Sequence, residues 1–419
     1  MINAKPHILV INRWREKYAD YDRYVDHATH HVTYVTTEVG LGSVPATAAA
    51  TALVPKTDDL AAVRAAAAEL VARFGRPAGA VALKEDDLLV GAQLRQEYGC
   101  PGPSTADLAV FRDKYLMCRA IREAGLPVPD FAAAGDEAVV RRMAAAHGWP
   151  VILKPRIGSS SEGVVRLDGP AALAEVTLDR EPMLVQQFRA DPIYHVDGVF
   201  DGRSLTTWRA SRYLHSCLDF RGGGVLGSVE VDDPEVNAAI GAAARRFLAA
   251  LTGTPVVFHL EVFVGRTAGG RPYCSFLEVG ARAGGAEIPF LWREVHGYDL
   301  NEAAWRIQLG QAPPALGSGM PVGAGSGEVA GWLLVAAPAA RPCRVTEATP
   351  MVGRDPGPYA EVVLRPGEVL PAADAFYEHV GGRFRFRGAT GGAVETAIRA
   401  TAFDVRVAGE PVTQSLISS

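Results

Sequence analysis

Along the first hundred residues, runs that read as strands at 7–12, 32–36 and 78–83 alternate with runs of helical spacing at 21–29, 58–74 and 88–98. Strand and helix alternating at this interval predict a parallel, doubly wound sheet. The Gly-rich phosphate turn of a dinucleotide fold belongs straight after the first strand. Asn12-Arg13-Trp14-Arg15 stands there instead, which argues against a bound NAD.

The stretch Gly99-Cys100-Pro101-Gly102-Pro103-Ser104 is a cluster of turn residues. After it the pattern predicts a helix over 105–124, with Ser104 as its N-cap and Gly125 as its stop. Leu126-Pro127-Val128-Pro129 leaves it extended. From Trp149 onward short β-rich runs take over, at 151–154, 163–167, 183–188 and 194–200, with helices expected at 235–251 and 301–308. Residues 311–327, rich in Gly, Pro and Ser, read as a connection. A last unit of strands with one helix, 391–402, ends near Ser419. The expected division is an α/β domain over 1–103, a central domain over 104–315 and a C-terminal α/β domain over 316–419.

Composition narrows the function. Of 419 residues, 48% are hydrophobic and 21% charged, with 44 Gly and 28 Pro, an ordinary globular balance. The net charge of −5 leaves no basic field to hold nucleic acid, so any phosphate site must be local. Cys100, Cys118, Cys217, Cys274 and Cys343 are odd in number, scattered and without a CxxC pair, which points to reduced thiols and a cytoplasmic location. No signal-peptide core and no apolar stretch near the roughly 18 residues of a membrane span is present, so no membrane partner is expected. The abundance of alanine and glycine suggests a GC-rich bacterial source.

Three stretches carry chemistry. Lys154 ends an apolar strand and is followed by Gly158-Ser159-Ser160-Ser161-Glu162-Gly163, which sets one cation beside backbone N–H and hydroxyl donors, as an oligophosphate requires. Alone, the same stretch reads equally as a surface hairpin with a solvated lysine, and it lacks the GK[ST] ending of a Walker A loop. Next, Phe258-His259-Leu260-Glu261 and Phe276-Leu277-Glu278 are strands whose 266–272 hairpin brings two glutamates side by side, where a cation such as Mg²⁺ would relieve their repulsion. Solvent-facing strand glutamates are the alternative. Finally, Met183-Leu184-Val185-Gln186-Gln187-Phe188 offers amides to a planar heterocycle, or is merely a strand end with exposed glutamines.

In their order and spacing these stretches resemble the ATP-grasp superfamily of carboxylate–amine ligases. The resemblance begins at Gly102-Pro103-Ser104 and Phe111-Arg112-Asp113-Lys114-Tyr115. It passes through Glu123-Ala124-Gly125-Leu126-Pro127-Val128-Pro129 and the Lys154 loop, and ends at Glu261 and Glu278-Val279-Gly280-Ala281-Arg282-Ala283-Gly284-Gly285. It covers roughly residues 100 to 310 and implies an α+β ATP-grasp unit between a preceding α/β domain and a C-terminal extension. It further implies that Lys114 and Lys154 hold the ATP phosphates, that Ser159, Ser160, Ser161 and Gly163 form the loop closing over them, and that Gln186, Gln187, Phe188 and Arg189 bind adenine. Glu261 and Glu278 would bridge Mg²⁺, with Mn²⁺ as a substitute, and Arg282 would steady an acyl phosphate. Lys154, Ser160 and Arg282 are thus the expected catalytic residues.

Two positions depart from the pattern. Ile193 stands where the superfamily often has a ribose-binding glutamate, and His195 or Asp197 is the expected replacement. Gly280 stands where many members have a metal-binding Asn. A small residue there, the His259-x-Glu261 strand and Gly297-Tyr298-Asp299-Leu300 resemble the bacterial L-amino acid ligases of the bacilysin type. The activity this resemblance implies is amide formation between a carboxylate and an amine through an acyl phosphate, with release of ADP and phosphate, in natural-product biosynthesis. His215, Asp219 and Arg221, ahead of Gly222-Gly223-Gly224, are candidates for the acceptor pocket. His259, Trp292 and Trp305 read as packing residues. Delivery of the acyl group to a carrier-protein thiol, a biotin-carboxylase-like activity and a non-catalytic nucleotide-binding regulator are the alternatives, and a homodimer is an open possibility.

Overall fold

The computed structural model describes residues 5–15, 17–178, 181–315, 327–372 and 380–412. Most of the expected connection at 311–327 and the chain end at Ser419 lie outside them. His7–Asn12 is one of two inner strands of a parallel sheet, flanked by His31–Thr36 and Gly79–Ala82, with Ala50–Leu53 beyond His31–Thr36. Leu9 and Ile11 pack into a core with the helices Leu60–Phe74 and Leu88–Tyr98, while Ile8 and Val10 join Tyr21, Tyr34 and Trp305 in another. Both faces are therefore covered, as a parallel sheet needs.

The second face, however, is covered from far along the chain. Trp305, 1% exposed, sits on the helix Leu300–Gln308 and meets the Tyr21 ring at 5.8 Å. Three residues on, the Gln308 carboxamide donates to the Ala82 carbonyl at 2.8 Å and accepts from the Ala82 N–H at 2.9 Å. A side chain thus completes the open edge of the sheet. Trp292, on the helix Ile288–Glu294, is buried in the same core, as expected for a packing residue.

The middle of the chain builds two antiparallel sheets. One has four strands, in the order Phe131–Ala133, Met183–Gln187, Val151–Pro155, Val165–Leu167. The other has eight, in the order Pro272–Gly280, Val256–Arg266, Ile193–Phe200, Leu205–Tyr213, Val225–Glu230, Val329–Ala336, Val380–Gly388, Ala360–Val363. Its first strands press Phe258, Leu260, Val262 and Phe276 against the helices Lys114–Glu123 and Pro234–Leu251. The C-terminal strands prolong this sheet, and the helix Gly391–Asp404 covers them with Val394 and Ile398. Val369–Leu370, Cys343–Ala348 and Val407–Pro411 form a small third antiparallel sheet.

Two expected helices differ. The 21–29 helix shrinks to Tyr21–Tyr24, because the Asp26 carboxylate accepts from the Ala28 N–H at 2.8 Å and so offers its own turn. The 105–124 helix is two helices, Thr105–Ala109 and Lys114–Glu123. Ser104 caps the first through a reciprocal bond with Asp107, and Asp113 starts the second by accepting from the N–H groups of Tyr115 and Leu116. Arg112, in the break, is drawn to Glu85 and Asp86. No helix among the described residues is long and apolar enough to cross a membrane, and all five cysteines are free thiols.

Candidate active site

Capping by Asp113 fixes where Lys114 begins its helix. Asp113 also pairs with Arg156, just past the strand Val151–Pro155, and Lys114 N–H donates to the Arg156 carbonyl at 2.8 Å. Lys114 Nζ consequently points across the cleft, donating to the Gly158 carbonyl at 2.9 Å and standing 3.7 Å from Glu278. Lys154 ends the Val151–Pro155 strand and is 4% exposed. Burial pushes its pKa down, and Glu278 is the main charge opposing that shift. Lys114 and the serine loop therefore line the cleft together, whereas Lys154 is buried close to Glu278.

The loop itself is shaped for close approach. Ser160 and Ser161 adopt left-handed backbone angles, φ 54° and 56°. Gly163 has φ 68°, and a Cβ there would come within 2.7 Å of Pro155, so glycine lets the loop fold back on the strand. Ser159 Oγ reaches Asp86 at 3.3 Å.

On the opposite wall, Glu261 and Glu278 are direct cross-strand partners, beside a bulge between Glu261 and Val262. The Glu261 carboxylate accepts from Tyr213 Oη at 2.9 Å and lies 3.6 Å from His259 Nε2. Burial alone would raise its pKa, but His259 and Tyr213 hold it below the ordinary value. Behind it runs a buried polar line. His259 Nδ1 and His195 Nδ1 share the two oxygens of Asp197, at 2.8 and 2.6 Å, and His195 Nε2 meets Ser228 Oγ at 2.7 Å. His259 is thus more than strand packing, since it also lines the cleft.

The structure seats His195 away from any ribose role: it is 1% exposed and both ring nitrogens are engaged. Asp197 is likewise taken up by the two imidazoles, so neither expected replacement for Ile193 is available to a sugar. Gln186 is buried, its carboxamide 3.8 Å from Cys118 Sγ. The Gln187 carboxamide oxygen accepts from the Asp130 N–H at 3.4 Å while the Gln187 backbone N–H donates to the Asp130 carbonyl, Arg166 lies over the Phe188 ring, and Arg189 pairs with Asp191 and donates to Tyr273. These side chains are thus engaged by neighbouring residues.

Arg282 is brought into the cleft with Lys114, Ser159, Ser160 and Glu278. Its Nε donates to Glu85 at 2.7 Å, and the Glu85 carboxylate also faces Arg112 Nη1 at 2.9 Å. Sequence reading missed Glu85, Asp86 and Arg112. The signal was available: Lys84-Glu85-Asp86-Asp87 follows the strand Gly79–Ala82, at the carboxyl edge of a parallel sheet, where α/β folds place ligands. His215 and Asp219 flank the helix Cys217–Arg221, and Arg221 Nη1 donates to the Ser160 carbonyl at 2.9 Å.

The donor set suits Mg²⁺ and an oligophosphate. Two opposed carboxylates supply hard oxygen ligands, while Gly280 supplies none.

No family model matches the chain. It is similar to an uncharacterized protein of Sinorhizobium fredii, 29% identical over 127 residues, 28% of this chain and 27% of that one. An L-arginine-specific L-amino acid ligase of Bacillus subtilis is 23% identical over 249 residues, 56% of this chain and 58% of that one. A D-alanine–D-alanine ligase of Streptomyces griseus is 30% identical over 133 residues, 29% and 32% of the two chains. The matched stretches span less than two thirds of each relative. Among solved structures, an L-amino acid ligase from Bacillus licheniformis superposes with a TM-score of 0.72 at 18% identity, covering 97% of this chain and 100% of that one. Phosphoribosylglycinamide synthetase from Anaerococcus prevotii gives 0.66 at 12% identity, with 97% and 100% covered. Biotin carboxylase from Campylobacter jejuni gives 0.64 at 17% identity, with 96% and 92% covered. Superposing on these enzymes over nearly its whole length, the chain has the ATP-grasp fold.

Proposed function

We propose that the chain is an ATP-dependent carboxylate–amine ligase, joining an amino acid or related carboxylate to an amine as an amide in bacterial natural-product biosynthesis. The observation that carries this reading is the single cleft lined by Lys114, Ser159, Ser160, Glu278 and Arg282, with Lys154 buried within charge range of Glu278 and Lys114. In the first step a substrate carboxylate oxygen bonds to the γ-phosphorus of ATP, the bond to the β-γ bridging oxygen breaks, and ADP leaves. In the second, the amine nitrogen attacks the acyl carbon, the phosphate departs with the C–O electron pair, and the ammonium proton is lost to solvent.

Phosphoryl transfer asks chiefly for positioning and charge neutralisation. Lys114 and Lys154 hold phosphate oxygens from one wall, and Ser159, Ser160, Ser161 and Gly163 close over them with hydroxyl and backbone N–H groups. Backbone groups of residues 186–189 receive adenine. Glu261 and Glu278 would hold Mg²⁺, or Mn²⁺ in its place, which neutralises phosphate charge when bound. Arg282 stabilises the oxyanion that develops when the acyl phosphate is attacked. A cytoplasmic location agrees with the five free thiols.

The test is ADP and phosphate release over all pairs of amino acids and common carboxylates, with mass spectrometry of the positives. Acid- and amine-dependent ADP release with an amide product supports the reading. Release that requires a small acidic carrier protein replaces the amine by a thiol, and tight ATP binding without turnover across the panel replaces the enzyme by a regulator.

A further inference from the structure

Glu85 lies against Gly280. A Cβ at residue 280 would stand 3.3 Å from both carboxylate oxygens of Glu85, tighter than carbon ordinarily approaches them. Those oxygens are held from the other side, Oε2 by Arg282 Nε at 2.7 Å and Oε1 by Arg112 Nη1 at 2.9 Å. The carboxylate is 14% exposed, and although burial alone would raise its pKa, the two arginines hold it below the ordinary value. Arg282 has left the ladder: its strand ends at Gly280 and it occupies a bend. Its guanidinium is oriented by Nη1 on the Ala283 carbonyl at 2.9 Å and by Nε on a residue 197 positions earlier, in the N-terminal unit.

We propose that Glu85 is a positioning residue of the ligase centre: its carboxylate aims Arg282 into the cleft and fills the space beside residue 280 that a side chain would otherwise take. The departure at Gly280 then has a physical reason, because an Asn there and a seated Glu85 compete for one volume. The inference rests on the ligase reading for what Arg282 does, but the clamp itself is independent of it. Stabilising a developing oxyanion depends on donor direction, and a displacement of about 1 Å costs on the order of 10²-fold in rate.

The test is a double-mutant cycle of Glu85→Ala and Arg282→Ala, read as kcat for amide formation at saturating ATP. E85A is expected to lower kcat about 10²-fold while moving KM for ATP by less than about threefold. R282A in the E85A background should cost less than about tenfold more, since a misaimed arginine has little left to lose. Glu85→Gln, which keeps a carbonyl oxygen beside Arg282 Nε, should recover part of the loss, and Gly280→Asn should reproduce E85A. MgADP titration calorimetry on every variant establishes that the nucleotide site is folded. Independently of turnover, the ¹⁵N–¹H signal of Arg282 Nε, assigned by its absence in Arg282→Lys, should be present in the wild type and broadened by exchange in E85A. Losses that multiply, an E85A effect confined to KM, or an unmoved Nε signal each overturn the proposal. A wild type that forms no amide yet shows the Nε behaviour sinks the ligase reading and leaves the clamp standing.

Discussion

Arg221 Nη1 reaches the carbonyl oxygen of Ser160 at 2.9 Å, so the helix Cys217–Arg221 of the large sheet and the loop beyond Lys154 touch across the cleft. Phe220, one residue earlier, is buried in the core with Trp332 and Leu226. The arginine therefore stands on an anchored helix and holds a loop whose two central serines are in left-handed conformations.

Removing that hydrogen bond should free the loop without loosening the fold. Arg221→Ala is expected to raise KM for ATP by about three- to tenfold, the equivalent of about 1 kcal/mol, at an unchanged melting temperature. Initial rates of ADP release measure it, and an unchanged KM would show that the contact does not hold the loop.

Asp113 has two duties, capping the Lys114 helix and pairing with Arg156. Asp113→Ala should cost about 1–2 kcal/mol in urea unfolding, the range for a lost cap, and also raise KM for ATP because Lys114 is the first residue of that helix. Arg156→Ala, which leaves the cap intact, should show a smaller stability loss. Equal losses in both variants would assign the effect to the ion pair instead.

Glu278 is about one-third exposed, so its removal tests chemistry rather than packing. Glu278→Ala should lower amide formation by at least about 10²-fold while the circular dichroism spectrum stays as in the wild type, with some loss of melting temperature because buried Lys154 loses its main counter-charge. Undiminished product would place the metal ligands elsewhere.

Asp86 and Asp87 are neighbours whose acidities move apart. Burial works against ionised Asp86, yet Lys84, Arg112 and Arg13 hold its pKa down to about 2, whereas burial pushes Asp87 up to about 6 against weaker opposition from Arg13 and Lys84. Folded Asp87 thus binds its proton more tightly than the unfolded chain does. Its contribution to stability is fully present below about pH 4 and is lost as pH rises through about 6. The wild-type unfolding free energy minus that of Asp87→Asn should consequently fall by about 3 kcal/mol between pH 4 and 7. Denaturant titrations at both pH values measure it, and a constant difference contradicts the assignment.

Much of the cleft was legible because it depends on local pattern. Lys154 at a strand end, the small-residue loop and the alternation around Glu261 and Glu278 are local signals. The hairpin alone would set Glu261 opposite Leu277, and it is the bulge between Glu261 and Val262, not legible in the sequence, that makes the two glutamates partners. The break at 110–113 was not legible, because it is made by Arg112 turning toward Glu85 and Asp86, which precede it by more than 25 residues. His195 was misplaced for a similar reason. Ser228 and His259 arrive from two other strands, and only the sheet order brings Ser228 to His195 and His259 to Asp197. The covering of the parallel sheet by Trp305 is a further tertiary fact that no short window contains.

The continuity of the eight-stranded sheet has a consequence for dissecting the molecule. Val225–Glu230 takes its outer neighbour, Val329–Ala336, from the far side of residue 315. A chain ended there would expose five residues' worth of unpaired ladder, Val225 to Val229, on a strand that also carries buried Leu226 and Val229. Such an edge recruits strands from other molecules. A fragment of this fold therefore cannot stop at residue 315 without opening that edge, and its solubility will be the first property lost.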